Sequence, residues 1–309
     1  MKNDFKSCIQ DAYRSFPGPV FLATGLLISG SSQAQNLFEG DFNSGNSVIN
    51  EFTPGGVQNT FASGISFPLG IAFDSAGNLF EADEGSGNVY KFTPSGAKST
   101  FASGLSGVAA LAFDSAGNLF VAAGGIYEFT PSGARSTFVS GQSPIALAFN
   151  SAGDLFDADY GTGNIYEFTP DGVQSTFATG LPLNSSHSLA FNAAGNLFVA
   201  GQGSGNIYEF TPGGVQTMFA SGLSFVTTGL AFNSAGNLFV ANGPFIYEYN
   251  PGGAQSTFFF SPTLEPVSLA FQGVALPVPE PSALVLPVSL VTAWLACRRR
   301  KLGTRAQMN

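Results

Sequence analysis

Hydrophobic positions in this chain come in short runs of four to six, separated by clusters of Gly, Pro, Ser, Asn and Asp. In "GIAFDSAGNLFEADEGSGNVYKFTPSGAKSTFASG", residues 70–104, the runs "GIAF", "NLFEA", "NVYKF" and "STFA" read as strands, with "DSAG", "DEGSG" and "TPSGA" as the turns between them. Each run is too short for a helix, and no stripe of period 3.6 appears. The unit recurs. The anchor "FTP" starts at Phe52, Phe92, Phe129, Phe168 and Phe210, with "YNP" at Tyr249, so successive spacings are 40, 37, 39, 42 and 39 residues.

Four strands per repeat of about 40 residues predict an all-β fold, a β-propeller of four-stranded antiparallel blades. Each strand carries a Phe at a fixed place, in this unit Phe73, Phe80, Phe92 and Phe101. Phe suits a slot between stacked sheets, because it fills space and needs no hydrogen-bond partner. The two ends of the repeat region are complementary. Residues 36–64 hold the second, third and fourth strands of a unit and lack the first, while "VSLAFQG" (267–273) supplies only a first strand. Each strand type then occurs six times. The prediction is a closed six-bladed ring over 36–273, with the C-terminal strand completing the first blade and removing an exposed edge.

The words "GIAFDSAGNLFEADEGSGNVYKF" resemble the NHL repeat and, more loosely, the blades of the gluconolactonase and senescence-marker-protein group; the likeness runs through all six units. NHL blades often carry a basic residue where this chain has Val89, Ile165 and Ile207. The RNA-binding surface of some family members is therefore not implied.

Charge supports that exclusion. Residues 36–281 hold three basic side chains (Lys91, Lys98, Arg135) against 18 acidic ones, a net of −15 that repels a nucleic-acid backbone. The other eight Lys and Arg lie toward the ends. Both cysteines, Cys8 and Cys297, lie there too, so the repeats have neither a disulfide framework nor a Cys-based zinc site.

The ends read as addresses. Residues 1–35 look like an export signal: Lys2, Lys6 and Arg14, then the apolar "PVFLATGLLISG", then "SSQAQ" with cleavage expected after Ala34. Residues 274–281 read as a linker, 282–297 as a short transmembrane helix, and 298–309 as a basic cytoplasmic tail. Val278-Pro279-Glu280-Pro281, the apolar stretch and the Arg298, Arg299, Arg300, Lys301 cluster resemble the PEP-CTERM sorting signal of Gram-negative bacteria. That resemblance implies an exosortase-type membrane peptidase as a partner, and release to the cell surface or extracellular matrix. A permanent tail anchor is the alternative.

In a propeller, the loops joining second to third strands and fourth to first strands emerge on one face, around the channel mouth. Here the former are long in four blades ("DFNSGN", "DEGSGN", "DYGTGN", "GQGSGN") and short in the third ("AGG", 123–125) and sixth ("NGPF", 242–245). Asp41, Asp83 and Asp159 head three of the long loops, with Glu84, Asp157 and Tyr160 nearby. They could bind a hard cation such as calcium, a sugar hydroxyl or a cationic partner. Equally, each Asp could cap its own turn, and then Asp→Asn should keep the turn. The body's one histidine, His187, begins an inner strand in "SSHSLAF" and could face the channel.

Two functions follow as candidates. The lactonase-like group uses a divalent metal held by Glu, Asn and Asp around its channel, and streptogramin lyases, another propeller family, need a His base. Acidic residues are absent from the starts of the innermost strands here, and Glu265 stands just before the last. The expectation is therefore a non-catalytic, exported binding module for a glycan, exopolysaccharide or protein. The alternative is a metal-dependent lactonase-like or lyase-like enzyme acting on a small molecule.

Overall fold

The computed structural model describes residues 35–42, 47–181, 188–201 and 205–273. The expected export signal, the sorting motif, the apolar segment 282–297 and His187 lie outside these. Among the described residues no helix is long and apolar enough to cross a membrane.

Among the described residues, twenty-four strands form six separate four-stranded antiparallel sheets. Blade 2 is typical. From the axis outward it runs Pro68–Phe73, Leu79–Asp83, Asn88–Phe92, Lys98–Ala102. Blades 3 and 4 start from inner strands Val108–Phe113 and Pro144–Phe149, and blades 5 and 6 from Ser188–Phe191 and Thr227–Phe232. Blade 1 is assembled from both ends of the repeat region. Its inner strand is Pro266–Phe271, paired antiparallel to Leu37–Asp41 in the register Leu37↔Phe271 and Glu39↔Leu269. The ring therefore closes as the half-units predict.

The turns carry the local instructions. In "DSAGN", Asp74 Oδ1 accepts from the N–H groups of Ala76 and Asn78, and Gly77 takes φ 80°, a conformation that a side chain disfavours. The same bonding recurs around Asn192 and Asn233, because an amide oxygen accepts as a carboxylate does. This stretch is a hairpin turn between first and second strands.

Phenylalanine holds the blades together. Phe80, on the second strand of blade 2, meets Phe101 of its own outer strand at 5.1 Å and Phe113 of the next blade's inner strand at 5.0 Å, both edge to face. Phe38, Phe120, Phe156, Phe198 and Phe239 repeat this. The contact that closes the ring, Phe239 to Phe271, is 4.9 Å and matches the rest. Burying each such ring contributes roughly 1.5–3 kcal/mol, with about 0.5–1.5 more from edge-to-face geometry.

Removing 262–273 should strip blade 1 of its inner strand, bare the free edge of Leu37–Asp41 and leave Phe239 without Phe271. The expected result is aggregation during purification, read by size-exclusion chromatography; a soluble, fully stable deletion variant would contradict ring closure.

Candidate functional site at the channel mouth

The six innermost strands pack side by side around the axis. They enclose a cavity of ≈ 140 Å³ lined by Leu69, Ala109, Ile145, Thr228, Val267 and their neighbours. The lining is mostly aliphatic, with hydroxyls on one side only. Ser188 Oγ accepts from the Leu230 N–H, Thr228 Oγ1 donates to the Pro266 carbonyl, and Ser268 Oγ donates to the Pro68 carbonyl. These bonds stitch blade 5 to 6, 6 to 1 and 1 to 2. Across the channel the strands approach without such bonds. A Cβ on Gly70 would lie 3.0 Å from Ala110 Cα, so glycine permits that contact.

The loop-head aspartates are framework. Asp83 is 1% exposed; its Oδ2 accepts from Ser66 N–H and its Oδ1 from Ser86 N–H. Asp159 accepts from Ser143 N–H, Thr162 N–H and the Thr162 hydroxyl. Asp41 accepts from Glu265 N–H. Each carboxylate thus clamps the loop entering its blade's inner strand, and Asp83 and Asp159 also clamp the loop leaving their own strand. In blade 6, Asn242 makes the clamp with reversed polarity, its amide donating to the Phe225 carbonyl and Thr227 Oγ1. The turn-capping alternative describes this geometry. The idea that Asn would keep the turn needs correction, because Asp83 uses both oxygens as acceptors and Asn has one.

Glu84 and Tyr160, one residue beyond two of these aspartates, are exposed, on blades 2 and 4. Among the described residues no three His, Cys, Asp or Glu side chains gather where a metal could sit. Asp41, Asp83 and Asp159 stand on three different blades with N–H donors around them, so they do not form a calcium site together. Among the described residues, the channel lining holds none of the carboxylates a lactonase-type metal would need, so that described donor set does not fit the metal.

A second set of carboxylates joins Asp157, named from the sequence only as a neighbour of the loop heads, to Glu39 and Glu81, which the sequence did not single out. Glu39, Glu81 and Asp157 occupy the middle of the second strand, two residues before the clamping Asp and on the same side of the sheet. All three are fully buried. Both oxygens of Glu81 and of Asp157 lack a hydrogen-bond partner; Glu39 accepts from Asn50 Nδ2 through one oxygen only. Burial, and then the charge of Asp83, push Glu81 up to about 9, with Lys98 pulling the other way. Burial and then Asp159 push Asp157 up to about 8. Glu39 is raised well above the ordinary range by burial and by Asp41. Glu81 and Asp157 are thereby held mainly as neutral acids at pH 7. The equivalent residues in blades 3, 5 and 6 are Val121, Val199 and Val240. A carboxylate where sister repeats have valine was the available signal.

No known family profile matches the chain. No curated protein is similar enough to align with it. Solved structures do match. A gluconolactonase from Xanthomonas campestris superposes with a TM-score of 0.60 at 17% identity, covering 75% of this chain and 89% of that one. Virginiamycin B lyase from Staphylococcus aureus gives 0.55 at 17% identity over 65% of this chain and 73% of the other. Its catalytically inactive His→Ala form with quinupristin gives 0.57 at 12% identity over 75% and 86%. The class so defined is a six-bladed propeller with gluconolactonase-like and lyase-like neighbours. These neighbours are enzymes, which corrects the expectation of a non-catalytic binding module and favours the enzyme-like alternative. A smooth inner wall is a poor guide, because catalytic groups are grafted on a fold's loops and strand ends rather than required by its core.

Two measurements test the carboxylates. Asp159→Ala should destabilise by about 1–3 kcal/mol, because three donors lose their acceptor, and Asp159→Asn by less; equal melting temperatures for wild type and D159A would refute the clamp. The buried acids act through pH. Their folded pKa values exceed the ordinary 4.5 of Glu and 3.8 of Asp, so the native state binds more protons than the unfolded one above those values. Stability should therefore be greatest below about pH 4 as far as these groups are concerned. It should fall, by about 1.4 kcal/mol per pH unit per group, until pH passes about 8–9. The double variant E81Q/D157N should flatten that slope in denaturant titrations, and an unchanged slope would count against neutral acids in the slots.

Proposed function

We propose that the protein is an enzyme that opens a small lactone seated over the channel mouth, by lyase-like elimination with His187 as base. One observation carries this choice. The chain's only histidine in the repeats stands immediately before Ser188. The corresponding residues of the other five blades, Leu69, Ala109, Ile145, Thr228 and Val267, line the channel. The catalytically inactive His→Ala form of the neighbouring lyase supports the same assignment. Lyase-like chemistry fits better than metal-dependent hydrolysis, since the described residues bring no metal donor set to the channel.

The step balances without water. A neutral imidazole takes the proton from the carbon next to the one bearing the ester oxygen; that C–H pair becomes a C=C bond, the C–O bond breaks, and the carboxylate leaves.

Incubating the purified protein with quinupristin as a depsipeptide lactone, and with a sugar δ-lactone, separates the readings by mass spectrometry. Elimination gives a ring-opened product isomeric with its substrate. The expected result is that product from wild type and from Glu84→Gln, and loss of turnover in His187→Ala. A product heavier by one water, an H187A variant as active as wild type, or no turnover of either lactone would overturn the proposal.

A further inference from the structure

Blade 6 departs from its sister blades at three places, and the three departures meet in space. The first residue of its third strand is Phe245, where the other blades have Val48, Asn88, Gly125, Asn164 and Asn206. Its outer strand ends in Phe260, where the others have Ser63, Ser103, Ser140, Thr179 and Ser221. Two residues before its inner strand stands Phe225, where blades 2, 3 and 4 have Ser66, Ser106 and Gln142, and blade 1 has a buried Leu264. The ring centroids of Phe245 and Phe260 are 4.8 Å apart, those of Phe225 and Phe245 6.2 Å, and Phe245 stacks on Tyr247 at 5.3 Å with planes 8° apart. The result is an aromatic ladder across the mouth-side end of blade 6, from the root of the inner strand to the outer strand.

Nothing in the ring's own packing requires it. The inter-blade triads use other phenylalanines, and among the described residues no other blade sets four rings in line; the nearest likeness is the pair Phe42–Phe67, 4.0 Å apart between blades 1 and 2. Phe225 is 47% exposed and Phe260 53%, with Val226 beside them also exposed. Contiguous apolar surface of this kind costs solubility and marks a place where something binds. The backbone accommodates it: the short loop 242–245 turns at Gly243 (φ 56°), where a Cβ would lie 2.5 Å from Phe225 Cγ. Glycine thus lets the Phe225 ring lie against the turn.

We infer that this ladder is a substrate-binding subsite for an aromatic, planar apolar group. The chemistry of the substitutions decides the class. At these positions the sister blades carry mainly hydroxyl and amide side chains, the groups that would recognise a sugar. Blade 6 has exchanged all three for phenyl rings that neither donate nor accept. Stacked and edge-on phenyl faces select a flat aromatic partner by burial and quadrupole complementarity. Assigning the group to a substrate rests on the lactone-opening reading above; the ladder's position, two residues from the inner strand at Phe225, places it beside that mouth.

The test uses binding, in a background that cannot turn the ligand over. In the H187A protein, dissociation constants for dihydrocoumarin, an aromatic lactone, and δ-valerolactone, its ring without the arene, are measured by ligand-observed NMR. The variant F225S/F245N/F260S installs residues that sister blades already carry, so its melting temperature should stay near the parent's. Its affinity for dihydrocoumarin should fall by roughly tenfold or more, with δ-valerolactone unchanged. Equal dihydrocoumarin affinity in both proteins, or no preference of the parent for the aromatic lactone, sinks the subsite. So does a parent that is dimeric by light scattering and becomes monomeric in the triple variant, since the ladder would then be a contact between copies. Dihydrocoumarin, whose ester oxygen is on an aromatic carbon, cannot undergo the elimination and reports binding only; if it binds through the ladder while the His187-containing protein opens neither quinupristin nor the sugar δ-lactone, the catalytic reading fails and the subsite stands.

Discussion

The edge-to-face phenylalanine contact between neighbouring blades is the constraint on which this molecule rests. A single four-stranded sheet of this size has two faces to cover and almost no charged side chains to leave in water. Phe80 spans the problem in one residue, touching its own outer strand and the next blade's inner strand at 5.1 and 5.0 Å. Because the contact is directional, it sets the angle between sheets as well as their attraction. Six equal copies return the chain to its start, with Phe239 meeting Phe271 as closely as any other pair.

That rigidity leaves the mouth free to vary. Its framework consists of acceptors aimed at backbone amides. Asp83 and Asp159 each tie two loops to one strand end, and Asn242 ties the entering loop alone, with donor and acceptor exchanged. Beneath the aspartates of blades 1, 2 and 4 lie buried carboxyls, incompletely hydrogen-bonded, where the other three blades carry valine. Their burial has a cost that valine avoids. Chemistry has been laid on this scaffold unevenly: hydroxyl stitches on the side of blades 5, 6 and 1, an aromatic ladder on blade 6.

Most of the fold was legible because a repeat states its rule six times. Phe73, Phe80, Phe92 and Phe101 were readable as strand markers, and the complementary half-units showed where the ring must close. The site was less legible for a physical reason. An aspartate at a strand end looks the same in sequence whether it faces solvent or caps amides; only burial of Asp83 and its two N–H donors distinguish them. Glu39 and Glu81 hid within an alternating strand pattern that allowed either an inward or an outward face, and Asp157 was readable only as a neighbour of the loop heads. Phe225, Phe245 and Phe260 lie on three segments that meet only once blade 6 is folded, although each departure is visible when the blades are aligned.

The joint blade has a consequence for the order in which the molecule comes into being. Residues 37–65 are made first, yet their sheet lacks its inner strand until residues 266–271 appear. Blades 2 to 6 are contiguous in the chain, and each can pair its strands as it leaves the ribosome. Blade 1 is begun first and finished last, and a nascent chain of 260 residues is an arc with two unsatisfied ends. The separation of Leu37 from Phe271 would make their pairing slow in an unstructured chain, since closing so long a loop costs entropy. Here the intervening blades have already bent the path round. The six residues Pro266–Phe271 find their partner across a gap that the preceding blades have shortened for them.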